Sequence, residues 1–308
     1  MHRERVSENV YWFQSEIYAQ VTAGVIIGPQ WAVLIDTLAL PEESLSIREF
    51  VERETGVEVR YIINTHYHAD HTWGNCFFPG AMIIAHELCR KFLEEKGIPS
   101  MEAARRQNPA LKQVKMVLPH FTFSGGTMNL RVGKKNLTLL PTPGHSPDGI
   151  SVLVEEDRVL FAGDAFMPLP YIVDGNSEDI TTSIKKISRM GLENIIQGHG
   201  DIVLRGEIDA AVKENLTYLT NIRKVAKTAT RRREVEEFLE EKVFIQLAAG
   251  AEVHDLVDLA FERRQPDYLS GICNNSETEY LNLPCFRVDG DFAHCDIHGI
   301  EILPHACS

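Results

Sequence analysis

Asn64-Thr65-His66-Tyr67-His68-Ala69-Asp70-His71 closes a β-rich segment that begins at Val59. Three imidazoles and a carboxylate within six residues have little use in an apolar core, because each polar group would need its own partner there. Imidazole and carboxylate are, however, the ligands that suit zinc and other borderline divalent metals. Residues two apart on an extended segment project to the same side, so His66 and His68 can share one metal. This octapeptide therefore predicts a metal site at the end of a strand.

Three further residues of ligand type follow singly, each directly behind a glycine: His145 in Thr-Pro-Gly-His-Ser, Asp164 in Ala-Gly-Asp-Ala and His199 in Gly-His-Gly. Each stands at the end of a segment with strand character. A glycine before the ligand lets the backbone come close to a metal without a Cβ clash. Together the seven side chains offer enough imidazole and carboxylate ligands for two neighbouring metal ions.

Composition narrows the class of protein. With 308 residues, 44% hydrophobic and 24% charged, the chain is long enough for one large domain or a domain with an appendage. Its net charge of −13 argues against a nucleic-acid partner, which would need a basic footprint. We expect no membrane partner, because no run of about eighteen apolar residues occurs. The N-terminus does not read as a secretory signal and six cysteines do not make a disulfide framework, so we expect a cytoplasmic, reduced protein.

Secondary-structure patterns divide most of the chain into two similar halves, each β and then α. Short apolar runs separated by turns predict antiparallel strands over residues 10–37, and a helical period follows over 42–55. Strands are expected at 59–64 and 82–85, before a charged helical segment that Pro99 interrupts. The second half has strand patterns at 130–132, 137–140, 151–154, 159–161 and 194–196, with a helix over 181–190. This alternation favours an α/β fold in which two mixed β-sheets lie between helical layers.

Beyond residue 207 the pattern becomes helical, and the last forty or so residues are polar and rich in Cys and His. Cys273, Cys285, Cys295 and Cys307, with nearby histidines, could form a structural zinc site, although their spacing is unlike the close cysteine pairs of zinc ribbons. They could equally be small buried hydrophobes. A tail that reaches across to a second copy of the chain is a further alternative, so a homodimer stays open.

The seven ligand-type residues, the strand order and the segment Val33-Leu34-Ile35-Asp36 together resemble the metallo-β-lactamase superfamily over residues 8–228. The resemblance implies a four-layer αββα sandwich. It also implies that His66, His68 and His145 hold one metal, that Asp70, His71 and His199 hold a second, and that Asp164 bridges both. We therefore expect a catalytic domain over 1–228, with a helical insertion at 86–122, and a C-terminal extension of helices and tail over 229–308. Position 164 is an aspartate, which resembles the glyoxalase-like, lactonase and phosphodiesterase branches of the superfamily more than the lactamases that use a cysteine as ligand.

The implied chemistry is hydrolysis by a dinuclear metal site, with two zinc ions per chain expected and iron or manganese as alternatives. Two ions about 3.5–4 Å apart can hold a hydroxide whose parent water has its pKa lowered toward about 7. Asp70 is the candidate for orienting that water and passing a proton to the leaving group. Asp36 is expected to support the ligand loop by hydrogen bonding.

A small, partly apolar organic substrate is expected, because the loop at 165–171 is too apolar for an exposed loop without a purpose. If the loop lines the pocket, Phe166, Met167 and Leu169 give apolar contact and the Tyr171 hydroxyl binds an oxyanion. Trp73 could add another wall. The alternative is that the loop packs against the helical insertion. Lactones, esters, thioesters and amides are the expected substrate classes, with β-lactams and aryl halides also open.

Two other functions remain open at this stage. Persulfide dioxygenases resemble this fold, use a single iron and would need only His66, His145 and Asp164 as ligands, which leaves the other four residues unexplained. A catalytically inactive family member that keeps its ligands is the second alternative.

Overall fold

A seven-stranded mixed β-sheet contains the first half of the chain in the computed structural model, which describes residues 1–230, 286–289, 292–295 and 300–302. Its strands lie side by side in chain order: β1 (His2–Ser7), β2 (Val10–Gln14), β3 (Thr22–Ile27), β4 (Ala32–Ile35), β5 (Val59–Ile63), β6 (Met82–His86) and β7 (Phe121–Phe123). Neighbours from β1 to β4 are antiparallel, and those from β4 to β7 are parallel. The ligand-rich octapeptide thus follows a central parallel strand.

A second mixed sheet has six strands, also adjacent in chain order: β8 (Met128–Val132), β9 (Lys135–Pro141), β10 (Ile150–Val154), β11 (Val159–Gly163), β12 (Asn194–Gln197) and β13 (Ile202–Leu204). Strands β11 and β12 are parallel, and the other neighbours are antiparallel. Consequently β9, β11 and β12 all run in one direction. Their carboxyl ends meet at the same edge of the sheet.

The main core lies between the two sheets. Val33, Ile35 and Ile63 of the first sheet meet Val152 and Phe161 of the second in one buried cluster. Burial of such side chains stabilises the fold by about 1.5–3 kcal/mol each. The sheets approach closely at Gly24, where a Cβ would lie 2.1 Å from the ring of Phe161, so a larger residue would push them apart.

Helices cover the outer face of each sheet. On the first sheet lies α1 (Pro41–Phe50), which continues into a π-helical turn (Val51–Thr55). A second helical segment on this sheet consists of α3 (Glu87–Phe92), a π-helical turn (Leu93–Gly97) and α4 (Ile98–Gln107). On the second lie α5 (Ser177–Ile187) and α6 (Ile208–Thr230). The short α2 (Ala69–Thr72) carries part of the octapeptide, and 3-10 turns cover Trp73–Phe77 and Pro109–Gln113. The two mixed sheets flanked by helices confirm the expected αββα architecture.

Several local expectations differ from the structure. The sequence patterns do not predict strands β1 and β7. The expected helical insertion at 86–122 connects the parallel strands β6 and β7, and its last two residues belong to β7. Pro99 lies in the first turn of α4, where its missing N–H costs nothing, and does not break a helix there. Helix α5 begins at Ser177 rather than 181, because Asn176 caps it by accepting hydrogen bonds from Glu178 N and Asp179 N.

The C-terminal part is described only in short pieces. β14 (Phe286–Asp289), β15 (Phe292–Cys295) and β16 (Ile300–Ile302) form an antiparallel sheet in the tail, where little periodicity was expected. Cys273, Cys285 and Cys307 and the helices expected after residue 230 lie outside the described residues, so the tail zinc site stays a prediction. None of the helices described is both long and apolar enough to cross a membrane.

Candidate metal centre

Both sheets deliver ligand-type residues to one edge of the sandwich. His66, His68, Asp70 and His71 follow β5 of the first sheet. The others follow strands of the second sheet that share a direction: His145 comes after β9, Asp164 after β11 and His199 after β12. The fold therefore brings together all seven residues that the sequence singled out, and they form two neighbouring groups.

The first group contains His66, His68, His145 and Asp164, all 5% exposed or less. His68 Nδ1 lies 2.9 Å from His66 Nε2 and 2.8 Å from His145 Nε2. Asp164 Oδ2 lies 3.2 Å from His145 Nε2. Three ring nitrogens and a carboxylate oxygen thus surround one point.

The second group contains Asp70, His71 and His199. His199 Nε2 lies 3.3 Å from Asp70 Oδ2, and His71 Nε2 lies 3.7 Å from the same oxygen. Asp164 reaches this group too, because its Oδ1 is 3.2 Å from His71 Nε2 and its Oδ2 is 3.5 Å from His199 Nε2. A single carboxylate therefore lies between both groups.

Hydrogen bonds on the outer side decide which ring nitrogen faces inward. His71 Nδ1 lies 2.8 Å from Asp36 Oδ2, His145 Nδ1 lies 2.7 Å from Tyr171 O, and His199 Nδ1 lies 2.8 Å from Ala19 O. Carboxylate and carbonyl oxygens only accept, so each Nδ1 carries the proton. The Nε2 lone pairs of these rings consequently point into the centre.

His66 follows the same rule through Thr65. The Thr65 hydroxyl donates to Asp36 Oδ2 at 2.7 Å, so its oxygen accepts from His66 Nδ1 at 3.1 Å. His68 has the opposite orientation, with Nδ1 inward and Nε2 3.7 Å from Asp174 Oδ2. Five imidazoles thus turn lone pairs toward two carboxylates.

This donor set fits cations. Lone pairs and carboxylates buried against each other repel unless positive charge lies among them. Asp70 Oδ1 is buried and meets no hydrogen-bond donor among the residues described. Burial alone would lower the pKa of His199, but Asp164 and Asp70 outweigh it and raise that pKa to about 10. Burial would likewise raise the pKa of Asp164, yet the histidines around it, led by His71, hold it well below its usual value. The centre is built to attract positive charge.

Glycines make the close approach possible. A Cβ on Gly198 would lie 1.9 Å from Asp164 Oδ1, so only glycine fits between β12 and His199. Gly144 has a φ of +144°, and a Cβ there would lie 2.2 Å from the backbone of Ile180. The turn before His145 therefore packs directly on α5.

Asp36 supports the ligand loop as expected. Its Oδ1 accepts from Thr65 N at 2.8 Å, and its Oδ2 accepts from Thr65 Oγ1 and His71 Nδ1. Its φ is +56°, a left-handed conformation that costs on the order of 1–2 kcal/mol outside glycine. A strained, buried carboxylate behind two ligand residues indicates that the strand end is shaped for the site.

Phe166 and Trp73, which the sequence left open as pocket walls, are both buried in contacts with protein. Phe166 is fully buried and packs with Ile180 and Ile184 of α5, so this part of the apolar loop belongs to the core of the second sheet. Trp73 is 4% exposed and packs with Met101 and Ala104 of α4. The sequence left both alternatives open, because an apolar residue in a loop looks the same in sequence whether it contacts substrate or protein.

Other residues of the apolar loop differ in burial. Met167 is 5% exposed, whereas Leu169 and Tyr171 are half-buried. The Tyr171 ring centroid is 6.0 Å from that of His145, so this side chain lies beside the first group. Its role in binding an oxyanion stays a prediction.

Sequence reasoning missed Asp174, Lys96 and Tyr67 as part of the site. Asp174 accepts from the Tyr67 hydroxyl and from Lys96 Nζ, which is 2.8 Å from its Oδ1. No motif marks a lone aspartate in the loop before α5. The one available signal was Tyr67, which stands between two ligand-type histidines.

Comparison with known proteins places these features in a family. The family model described as metallo-beta-lactamase superfamily matches residues 18–207. Among solved structures, a metallo-beta-lactamase from Pontibacter korlensis superposes with a TM-score of 0.58 at 18% identity, covering 71% of this chain and 99% of that one. At this identity the likeness shows the fold alone.

Curated relatives have diverse names. A Beta-lactamase-like protein 2 homolog from Caenorhabditis elegans is 27% identical over 52% of this chain and 49% of its own length. Thioesterase pkgB from Emericella nidulans is 27% identical over 56% of this chain and 43% of its own. Acyl-coenzyme A thioesterase MBLAC2 from Homo sapiens is 24% identical over 63% of this chain and 79% of its own. The chain spans about half the length of the first two.

Proposed function

The chain belongs to the metallo-β-lactamase superfamily, and from this premise we propose that it is a dinuclear metal-dependent hydrolase that acts on thioesters. The observation that carries the proposal is the position of Asp164, whose two carboxylate oxygens lie 3.2–3.7 Å from ring nitrogens of both groups. A carboxylate so placed suits two adjacent cations.

In this proposal His66, His68 and His145 would hold one cation and Asp70, His71 and His199 the other, with the Asp164 carboxylate available to both. Two bound cations would polarise the scissile carbonyl and lower the pKa of a bound water. The donor set of five imidazoles and two carboxylates suits zinc, with iron or manganese also compatible. Among the chain's own groups, Asp70 Oδ1 meets no donor among the described residues, so it is available to orient water and move a proton to the leaving group.

Tyr171 is proposed to stabilise the developing oxyanion. Its half-buried ring lies beside His145, while its carbonyl accepts from His145 Nδ1. A hydroxyl near the reacting carbonyl acts mainly on charge that develops in the transition state. Replacement by phenylalanine is therefore expected to lower kcat and leave KM nearly unchanged.

Thioesters are favoured over the other expected substrates by the names of two relatives, both thioesterases. The structure adds an open basic cleft of about 270 Å³ at the end of α4, lined by Arg105, Arg106, Lys112 and Glu102. An anionic carrier such as coenzyme A suits this cleft. Helix α4 also packs on α2, which carries Asp70 and His71, through the cluster that contains Ala69 and Met101.

The test has two parts. Purified protein resupplied with zinc is analysed for metal, and two ions per chain are expected. It is then assayed on matched acetyl-coenzyme A, acetyl-N-acetylcysteamine, a γ-lactone and a β-lactam. Hydrolysis of both thioesters well above the lactone and lactam supports the proposal. Failure to bind any metal would refute it, and one iron per chain with persulfide oxidation would favour the dioxygenase alternative.

A further inference from the structure

His68 is the exception among the five imidazoles of the metal centre. The other four turn Nε2 inward and hold Nδ1 by hydrogen bonds to oxygen atoms. His68 turns Nδ1 inward, 2.9 Å from His66 Nε2 and 2.8 Å from His145 Nε2. Its Nε2 points the other way, toward Asp174 Oδ2 at 3.7 Å. A ring that binds a cation through Nδ1 carries its proton on Nε2, so a carboxylate in that direction selects the required tautomer.

Asp174 is brought there by the backbone. The loop that leaves Asp164 returns over His145, whose carbonyl accepts from the N–H groups of Val173, Asp174 and Gly175 at 3.1–3.2 Å. The same loop supplies Tyr171 O to His145 Nδ1. Residues 171–175 therefore wrap one ligand residue while they present a carboxylate to another.

The Asp174 carboxylate is itself held by two side chains of the first half of the chain. The Tyr67 hydroxyl donates to its Oδ2, and Lys96 Nζ lies 2.8 Å from its Oδ1. The Lys96 ammonium also lies 5.5 Å from the Tyr67 ring centroid and 5.1 Å from that of Phe92. Such cation–π contacts hold the ammonium over the two rings. Lys96 belongs to the π-helical turn between α3 and α4, so these contacts connect that helical segment to the metal centre.

We propose that Asp174 is a positioning residue of the first metal group: it orients His68 through Nε2, and Tyr67 and Lys96 fasten the α3–α4 segment to the site through the same carboxylate. The inference rests on metal binding by the proposed hydrolase and is independent of the choice of thioester. It implies that occupation of the first group and order in the α3–α4 segment depend on each other.

Asp174→Ala, Asp174→Asn, Tyr67→Phe and Lys96→Met are to be compared with Asp157→Asn as control. Asp157, in the turn between β10 and β11, pairs at 2.6 Å with Lys135 at the start of β9, at the end of the sheet opposite the metal centre. Its replacement therefore reports the loss of a similar ion pair alone. Stepwise affinities of metal-free protein for Zn²⁺ are measured by chelator competition. The absorption bands of bound Co²⁺ report ligand geometry. Backbone hydrogen exchange reports order in residues 87–107.

Asp174→Ala is expected to weaken one of the two ions by about 10- to 100-fold and to change the Co²⁺ bands of that ion only. Asp174→Asn should fall between Ala and wild type, because the amide keeps the shape of the side chain and an oxygen that can face His68 Nε2 but lacks the negative charge. Tyr67→Phe and Lys96→Met keep the carboxylate, so they should have smaller effects on affinity but faster exchange in residues 87–107. Asp157→Asn should match wild type in all three measurements.

Unchanged stepwise affinities in both Asp174 variants would overturn the proposal, even if thermal stability fell, because that result describes a loop contact without effect on His68. If Asp174→Ala does not fold, Asp174→Asn decides the question. Wild-type protein that binds no metal would refute the proposed function and this inference together. Metal binding without thioester hydrolysis would refute only the choice of substrate.

Discussion

Replacing Asp36 with asparagine tests the second metal group. The carboxylate accepts three hydrogen bonds, from Thr65 N at 2.8 Å, Thr65 Oγ1 at 2.7 Å and His71 Nδ1 at 2.8 Å. Asparagine has the same shape but offers one oxygen and an NH₂ group that only donates. If its oxygen faces Thr65 N, its amide nitrogen meets the donors Thr65 Oγ1 and His71 Nδ1. If the amide is reversed, Thr65 N loses its acceptor.

The magnitude follows from the His71 tautomer. His71 can remove the clash by moving its proton to Nε2, but that nitrogen is the one that faces Asp164 and the proposed cation. Changes in such supporting groups typically cost about 10- to 100-fold in metal affinity, or about 1.4–2.8 kcal/mol. The cost to the metal-free fold is smaller, because burial raises the pKa of Asp36 against the opposing effects of His71 and Thr65. A neutral amide avoids part of that burial penalty.

Chelator competition on metal-free Asp36→Asn should therefore show the ion of the second group bound about 10- to 100-fold more weakly. The ion of the first group should lose less affinity, because Asp36 reaches His66 only through the Thr65 hydroxyl. Asp157→Asn serves as the control, since its ion pair with Lys135 is remote from the ligands. Two unchanged affinities would refute the tautomer argument. Equal loss of both ions would refute the assignment of His71 to a separate second group.

Three further outcomes are expected. Asp164→Asn should lose both ions and activity with the fold largely intact, because the change removes the charge between the two groups; wild-type turnover would show that Asp164 is not a ligand. Phe166→Ala should lower the free energy of unfolding by about 3–5 kcal/mol in denaturant titrations, since the ring is fully buried, and should leave KM unchanged; a raised KM with normal stability would restore this ring to the pocket. Burial raises the pKa of Asp148 to about 7, so the metal-free folded state keeps a proton that the unfolded chain releases near pH 4. The free energy of unfolding should therefore fall by up to about 4 kcal/mol as the pH rises from about 4 to 7. Asp148→Asn should remove this dependence of the free energy of unfolding on pH. If the denaturation midpoint of the variant changes with pH as steeply as that of wild type, Asp148 is not the group responsible.

The cluster of seven ligand-type residues could be predicted because its sequence signals are local. Four of the seven residues lie within six positions just after β5, and each of the other three directly follows a glycine. The requirement behind that pattern is visible at Gly198, where a side chain would collide with Asp164. Alternating or continuous apolar runs likewise predicted the central strands, because both sheets bury at least one face.

The failures have physical reasons as well. β1 reads His-Arg-Glu-Arg-Val-Ser and is mostly exposed at the sheet edge, so it has no apolar period to detect. Phe166 could not be assigned to the core without knowing that Ile180 and Ile184 of α5 would cover it. Asp174 depends on backbone contacts to His145 from 28–30 residues along the chain, and no local pattern encodes them. Tertiary contacts decided each of these cases.

Each metal group takes residues from both sheets: His66 and His68 follow β5 in the first group, whereas His145 follows β9, and Asp70 and His71 face His199 across the second. A cation in either group would connect the two sheets, and it could bind all its ligands only while the sheets are packed together. A ligand that binds the closed form alone at about 100 times its Kd stabilises it by about 2.7 kcal/mol. The concentration of free metal would thus set how often the two sheets separate and expose the chain to proteases. The rate at which the protein is degraded would therefore rise as free metal falls.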